Sequence, residues 1–256
     1  MKTTVLAQAA VYFFAITMCC GCAADSKTLT ASEKMISKKL EFKNFSAVNS
    51  HGQTTVEVKT GSDYSVTCIV PENMKDYFDI KNVKNTLSVT NNNKYSNCNI
   101  KYKKSKERAK VIVTLPRLAT VVTSGQSSMT ISGNVASSFS ANTSGQSELQ
   151  FKNDISAATI GLVSSGQSSI QLDNLSAQGK VTMNASGQSD INVTNITTSG
   201  VATLTTSGQA DIKGVKLTAG STVANASGQS DIKFKRCPGQ FRSHTSGQAD
   251  ITLNKK

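Results

Sequence analysis

From residue 121 onwards, apolar and polar residues alternate within a longer unit that recurs about every 20 residues. Each unit carries the tripeptide Ser-Gly-Gln. Its copies are spaced by 20, 21, 21, 21, 20 and 19 residues and begin at Ser124, Ser144, Ser165, Ser186, Ser207, Ser227 and Ser246. A diverged copy stands at His51-Gly52-Gln53. Self-similarity at a fixed period of this length is typical of a solenoid, in which each repeat forms one turn.

Aligning the units on their first serine places apolar residues in three columns. The first column, five residues after the serine, contains Met129, Leu149, Ile170, Ile191, Ile212, Ile232 and Ile251. The second column, seven residues after the serine, contains Ile131, Phe151, Leu172, Val193, Gly214, Phe234 and Leu253. The third column, ten or eleven residues after it, contains Val135, Ile155, Leu175, Ile196, Leu217 and Cys237. Alternation with a period of two predicts strands, and three apolar faces per turn predict a closed coil around a narrow core.

These patterns predict an all-β fold, a right-handed single-stranded parallel β-helix with rungs of about 20 residues. The right hand follows from the crossover rule for parallel strands. Each repeated glycine can adopt the positive φ that a sharp corner needs. The glutamines would then stack as a hydrogen-bonded ladder, and they are Gln126, Gln146, Gln167, Gln188, Gln209, Gln229 and Gln248.

The chain divides into four segments. Residues 1–24 are predicted to be a lipoprotein signal region, residues 25–40 a polar tether, residues 41–120 a β-rich first part of the β-helix domain, and residues 121–256 the repeat β-helix. Exposed solenoid ends need capping, so the lysine-rich region before residue 118 is expected to cover one end.

The first segment has the pattern of an export signal. Lys2 precedes an apolar stretch, Val5 to Met18, which is short for a membrane span. Cys22 follows the small residue Gly21 and is predicted to be lipidated, with Cys20 as the alternative. Such an anchor would hold the protein in the bacterial envelope, at the outer membrane, facing the periplasm or the outside. Ordinary cleavage after Ala24 is the competing interpretation.

The net charge is +12 and is concentrated in the N-terminal half. Residues 25–117 carry 17 Lys and Arg against 9 Asp and Glu, whereas residues 118–256 carry 10 against 7. One basic cluster contains Lys101, Lys103, Lys104, Lys106, Arg108 and Lys110. It could attract anionic partners, but a solvated strand edge protected by lysine is the favoured interpretation. Nucleic acid is not a predicted partner, because no aromatic stacking motif accompanies the charge.

An acidic column stands four residues after the serine in most repeats, at Glu148, Asp190, Asp211, Asp231 and Asp250. Stacked carboxylates could bind calcium or act as the acid and base of a glycan-cleaving β-helix. Lys213 and Lys233 lie two residues further along and can neutralise Asp211 and Asp231, so a solvent-facing column is favoured. No catalytic triad, metal-ligand spacing or phosphate-binding loop is recognisable. The sequence therefore predicts no enzyme, no cofactor and no metal site.

Three cysteines fall outside the signal region. Cys68 and Cys98 are candidates for a disulfide in an oxidising envelope, and two separate thiols are the alternative. Cys237 occupies an apolar column, which predicts a buried thiol.

The run from Phe42 to Lys256 resembles the head GIN domain family of auto-transporter adhesins. The resemblance is carried by Phe42 to Val58, Asn85 to Val89, Val111 to Leu118 and the Ser-Gly-Gln-[Ser/Ala]-Asp-Ile repeats. It implies an envelope-associated β-helix with an adhesive role. The glutamine in the turn is a departure, since serine or aspartate is expected there more often, and this bears on which ligand the face recognises.

The resulting hypothesis is a non-catalytic binding or adhesion module of the cell envelope or surface. Its partners would be the membrane, through the lipid anchor, and glycans or other cell-surface ligands, bound by the Gln, Ser, Asp and Lys ladder. The alternatives are a β-helix carbohydrate-active enzyme and a structural envelope spacer. The oligomeric state does not follow from the sequence.

Overall fold

The computed structural model describes residues 27–95, 98–103, 108–238 and 240–254. The predictions for residues 1–24, including lipidation of Cys22 or Cys20, lie outside these residues. Within them the structure is built from strands and two short 3-10 helices, Glu72–Met74 and Asn93–Tyr95. No helix in this part of the chain is long and apolar enough to cross a bilayer.

Twenty-two strands are present in the described residues. The first nine are β1 (Lys27–Thr30), β2 (Met35–Leu40), β3 (Ala47–Gly52), β4 (Thr55–Thr60), β5 (Ser65–Pro71), β6 (Phe78–Val83), β7 (Thr86–Asn91), β8 (Cys98–Lys101) and β9 (Lys110–Leu115). The others are β10 (Leu118–Gly125), β11 (Ser128–Ser132), β12 (Val135–Thr143), β13 (Glu148–Phe151), β14 (Ile155–Ala157), β15 (Thr159–Gly166), β16 (Ser169–Ala177), β17 (Val181–Gly187), β18 (Asp190–Gly208), β19 (Asp211–Gly228), β20 (Asp231–Arg236), β21 (Phe241–Gly247) and β22 (Asp250–Leu253).

The repeats form a β-solenoid of about six turns with rungs of about 21 residues, which confirms the predicted fold class. One turn shows its three faces: the first face is β15, the second is Ser169 to Leu172, and the third is Leu175 to Ala177. Successive turns pair in parallel, with Ile191 between Ile170 and Ile212. All three isoleucines are fully buried. Equivalent residues therefore lie directly above one another, as the period predicts.

The core runs along the solenoid axis, and adjacent turns complete it for each other. Gly214 shows how a neighbour compensates for a missing side chain. A Cβ placed on it would lie 2.4 Å from Cε1 of Phe234, so the ring of the next turn fills the space that Gly214 leaves. The third apolar column is buried from Ile155 onwards and ends in buried Cys237, whereas Val135 is half-buried.

Residues 27–40, 61–95, 98–103 and 108–115, called the cap below, cover one end of the solenoid. The first turn, β3 and β4, contacts β10 and β11 on one side and the cap strands β7 and β9 on the other. The chain therefore leaves the solenoid after β4, builds the cap and returns at β10. Antiparallel pairs β2–β5, β5–β9 and β6–β7 close the end. The expectation that the region before residue 118 covers this end is confirmed.

The cap has a second hydrophobic core of its own. Met74 and Tyr77 lie at its centre, and both are almost completely buried. Its buried members are Ala31, Cys68, Val70, Met74, Tyr77, Tyr95 and Ala109. The tyrosines make edge-on ring contacts, with the centroids of Tyr77 and Tyr95 5.3 Å apart. This core gives the cap a packing unit separate from the axial core.

The tether prediction is wrong for residues 27–40. β1 pairs with β8, β2 pairs with β5, and Ala31 is buried in the second core. These residues look polar in sequence because both strands keep much of their surface in solvent, while Leu29 and Ile36 pack inward.

The candidate disulfide does not form. Cys68 and Cys98 are both free thiols, which agrees with the alternative of two separate thiols. Cys68 faces the second core from the middle of β5, whereas Cys98 begins β8 and donates its Sγ hydrogen to the carbonyl of Lys94 at 3.8 Å.

Candidate functional site

Each turn bends sharply at its repeat glycine. From Gly52 to Gly247, the corner glycines have φ between 74° and 89°. A Cβ placed on Gly187 would lie 3.0 Å from the carbonyl oxygen of Gly166 in the preceding turn. Glycine is therefore required both for the left-handed backbone and for the close stacking of corners. The diverged copy at His51-Gly52-Gln53 belongs to the same stack.

Backbone hydrogen bonds hold consecutive corners together. The amide N–H of Gln146 donates to the carbonyl of Gly125 at 2.7 Å, and Gln188 donates in the same way to Gly166. These bonds point back towards the cap. They fix the glutamine side chains one above another on the surface.

The exposed glutamine side chains form the predicted ladder, and Gln53 extends it to eight members. Seven Nε2–H···Oε1 bonds of 2.9–3.1 Å connect Gln53, Gln126, Gln146, Gln167, Gln188, Gln209, Gln229 and Gln248 in that order. In all seven bonds the side-chain amide donates away from the cap, opposite to the direction of the backbone bonds beneath it. Amides aligned in one direction polarise one another, so the chain of bonds is cooperative.

In most turns the residue after the glutamine is a buried serine, and its hydroxyl forms hydrogen bonds with the backbone of the corner. Ser168 donates to the carbonyl of Ser165 at 2.8 Å and accepts from its amide N–H at 3.1 Å. The serines that make the first of these bonds in their own turns are Ser127, Ser147, Ser168, Ser189 and Ser230. This serine was not among the residues that the sequence predicted to have a role. The signal was the fourth position of the motif, which is always Ser or Ala.

The second face carries the acidic column, and lysines neutralise part of it. Lys213 Nζ lies 2.5 Å from Asp211 Oδ2, and Lys233 Nζ lies 2.6 Å from Asp231 Oδ2, as predicted. Asp211 also accepts the backbone N–H of Asp231 at 3.0 Å. Partial burial, together with the charge of Asp211, raises the pKa of Asp190, and Lys213 opposes this rise. No group of three or more His, Cys, Asp or Glu in the described residues is arranged to hold a metal ion.

A groove of about 520 Å³ runs along the far edge of the second face, across four turns. One wall consists of side chains six residues after the serine: Gln150, Gln171, Asn192 and Lys213. The opposite wall is formed by Asp173, Thr194 and Val215, and the floor by Phe151, Leu172, Val193 and Gly214. Gln150, Gln171 and Asn192 were not among the site residues predicted from the sequence. Their repeated amides were the signal that could have identified the groove.

Two solved structures from Parabacteroides species have a similar fold. A protein named "putative lipid binding protein" from Parabacteroides distasonis matches with a TM-score of 0.72 and 14% identity, covering 90% of this chain and 100% of that one. A "putative adhesin" from Parabacteroides merdae matches with a TM-score of 0.64 and 15% identity, covering 89% and 99%. At these identities the likeness shows the fold alone. No curated protein sequence matches the chain.

The family comparison covers most of the chain. A model described as "Putative auto-transporter adhesin, head GIN domain" matches residues 44–255. The match includes the first turn, the cap strands from β5 to β9 and every Ser-Gly-Gln corner. This chain therefore belongs to the head GIN domain family.

Proposed function

We propose that this protein is an exported, non-catalytic binding module that holds an extended cell-surface glycan along the groove of its second face. The groove itself carries the proposal. Gln150, Gln171 and Asn192 repeat an amide at the same place in successive turns, at intervals of about 4.8 Å. Amides both donate and accept hydrogen bonds, so they match sugar hydroxyls. Many weak contacts to a repetitive ligand add up to useful avidity.

The charges of the second face support binding rather than glycan cleavage. A glycan hydrolase needs two carboxyl groups in unlike environments on either side of the scissile bond. Here Asp211 and Asp231 lie on the same column, and each is paired with a lysine at the same offset. Among the described residues that line the groove, Asp173 is the one carboxylate.

The family and the export signal together support a surface role. The family is described by adhesin function, and a solved neighbour carries an adhesin name. Lipidation of Cys22 would attach the chain to the membrane. Because β1 begins at Lys27, an anchor at Cys22 would hold the cap beside the bilayer, within about 17 Å of extended chain. The glutamine ladder would then run outwards from the membrane.

Glycan-array binding of the purified mature chain tests this proposal. We expect binding to extended polysaccharides and at least a tenfold loss in the double variant Gln171→Ala/Asn192→Ala. The matched control is Asn142→Ala/Asn184→Ala, which removes two amides from the first face and should bind as the unchanged protein does. The same samples are assayed for newly formed reducing ends. Absence of glycan binding, or cleavage that depends on Asp190 and Asp211, would overturn the proposal.

A further inference from the structure

A second concave site lies where the cap meets the first two turns. It has a volume of about 300 Å³ and is separate from the groove of the second face. Distant parts of the chain contribute to it: Gln53 and Gln126 belong to the ladder, Asn99 and Tyr102 to β8 and the residues after it, and Arg108 to the segment before β9. At this place the described residues bring aromatic, amide and cationic side chains together.

The cap fixes the ladder end of this junction. Tyr77 is buried and donates its hydroxyl hydrogen to the carbonyl of Gln53 at 2.8 Å. Asn91 donates to the same carbonyl at 3.1 Å and accepts the amide N–H of Gln53. The backbone that carries the Gln53 side chain is therefore held in place before any ligand arrives, which lowers the entropic cost of binding.

Gln53 is also the acceptor end of the ladder. Each later glutamine accepts a hydrogen bond from the glutamine of the preceding turn, but among the described residues no glutamine precedes Gln53 in the ladder. Its Oε1 atom therefore ends a chain of seven bonds aligned in one direction. Polarisation along such a chain makes the terminal carbonyl a stronger acceptor for a ligand hydroxyl.

Tyr102 and Arg108 supply the remaining chemistry. Tyr102 is half-buried, and burial raises the pKa of its hydroxyl. Arg108 is exposed, and its charge is close enough to lower that pKa. A guanidinium binds carboxylate or sulfate oxygens in pairs. Among the described residues that line this junction, Arg108 is the one cation, and the neighbouring Lys110 is paired with Glu57 at 2.8 Å.

We propose that the junction binds a single sugar unit that carries an anionic group. Arg108 binds the carboxylate or sulfate, Gln53 Oε1 and the amides of Asn99 and Gln126 bind ring hydroxyls, and the ring of Tyr102 covers the apolar face of the sugar. A volume of about 300 Å³ is at the lower limit of ligand pockets and suits one ring rather than a chain. The inference rests on the proposed glycan-binding function, and it adds a subsite that distinguishes anionic sugars from neutral ones.

Calorimetric titration of the purified mature chain with three methyl glycosides tests the inference: glucuronate, glucose 6-sulfate and glucose. We expect at least one charged sugar to bind at least tenfold more tightly than glucose, and the carboxylate and sulfate arms identify which anion is preferred. Arg108→Gln should abolish the difference. Arg117→Gln, which removes an exposed arginine outside the junction, should preserve it. Equal thermal midpoints would show that both variants are folded.

Two results would overturn the inference: glucose binding as tightly as both charged sugars, or Arg108→Gln retaining the preference. The groove is tested separately by the double variant Gln171→Ala/Asn192→Ala. That variant should keep the preference for charged monosaccharides while losing the polysaccharide. Conversely, Arg108→Gln should leave binding of a neutral polysaccharide unchanged, so failure at the junction is distinguishable from failure at the groove.

Discussion

The cap and the repeat region bury their apolar side chains in opposite ways. In the repeat region each turn places residues such as Ile191 between identical positions of its neighbours, and all the pairings between turns are parallel. Beyond the cap, the part of the chain that the structure describes forms no further turn. The cap closes its end with antiparallel pairs and packs tyrosines into a second core. No tyrosine occurs after Tyr102.

This difference explains why the aromatic content is only 5%. A turn in the middle of a solenoid can be built mainly from small and medium side chains, with an occasional phenylalanine such as Phe139, because the turns on either side complete its core. The end of a solenoid must fill its own volume and satisfy its own strand edges. The cap therefore concentrates large side chains and charged edge strands in one part of the chain.

The largest loss of stability is expected from a substitution in the axial core, and it should affect the repeat region before the second core of the cap. Ile191→Ala removes a fully buried side chain from the axial core and should lower the free energy of unfolding by about 3–4 kcal/mol. Urea denaturation followed by circular dichroism measures the loss. Val83→Ala, at a side chain 56% exposed in the cap, is the control and should change stability by less than about 0.5 kcal/mol.

Amide hydrogen exchange shows which core is affected first. In Ile191→Ala the exchange rate should increase in β16 to β19 before it increases in β5 and β6. Simultaneous loss of protection in all six strands would show that the cap and repeat unfold as one unit.

A smaller loss in the free energy of unfolding is expected from substitutions at the glycine corners, which occur in the repeat region and not in the described residues of the cap. Gly187→Ala forces a side chain onto a φ of 80° against the Gly166 backbone and should cost about 2–3 kcal/mol. Gly161 has no such conformation, and the nearest atom to its Cβ position is 3.9 Å away. Gly161→Ala should therefore be neutral or slightly stabilising in the same urea titration. Equal losses in both variants would contradict the corner argument.

The buried serine hydroxyl at a corner should contribute less to the free energy of unfolding than the corner glycine does. Ser168→Ala leaves the carbonyl and amide of Ser165 without this partner and should cost about 1–2 kcal/mol. Ser169→Ala changes the adjacent, outward-facing serine and should have almost no effect on the unfolding midpoint. Ala210 already occupies the equivalent position in another turn, and there Thr206 accepts from Ser230 at 2.8 Å. If Ser168→Ala were as stable as Ser169→Ala, the hydrogen bonds between the Ser168 hydroxyl and the Ser165 backbone would not contribute to stability.

The smallest effect is confined to alkaline pH and to the cap. Burial raises the pKa of the Cys68 thiol from 9.0 to about 11, and burial also raises the pKa of Tyr77. A raised folded-state pKa gives stability that is fully present below the unfolded-state pKa and is lost as pH rises through the folded value. The loss due to Cys68 should be about 1 kcal/mol at pH 10.

Unfolding midpoints measured from pH 8 to pH 11 test this prediction, with amide exchange reporting the cap and the repeat separately. Cys68→Ala should flatten the decline of the cap above pH 9, although it lowers stability at neutral pH. If stability declined first in the repeat strands, or if Cys68→Ala left the pH profile unchanged, the loss of stability at alkaline pH could not be assigned to Cys68.

The repeat region was predictable because its contacts join equivalent positions. The spacing of the Ser-Gly-Gln copies alone indicates that Ile170 lies beside Ile191, and the observed pairing confirms it. The same argument predicted the glutamine ladder and the lysine partners of Asp211 and Asp231. In a solenoid, aligning the sequence with itself is equivalent to listing its contacts.

The cap was less predictable because its contacts join unlike segments far apart in the chain. Nothing periodic indicates that β1 pairs with β8, and the polar residues of 27–40 were mistaken for a tether. Cys68 and Cys98 were plausible partners in sequence, but the second core directs Cys68 inward from β5.

The amino-acid sequence by itself determined the solenoid, its register and its corners, because period and glycine chemistry act locally and repeat in every turn. Only the tertiary structure decided how the end closes and where concave sites form. The groove depends on how adjacent turns place Gln171 and Asn192 around it, and the junction of Gln53, Tyr102 and Arg108 depends on the chain returning to the solenoid after the cap. The amides of the groove do recur with the repeat, but the junction arises from non-local packing, for which a one-dimensional pattern carries no periodic signal.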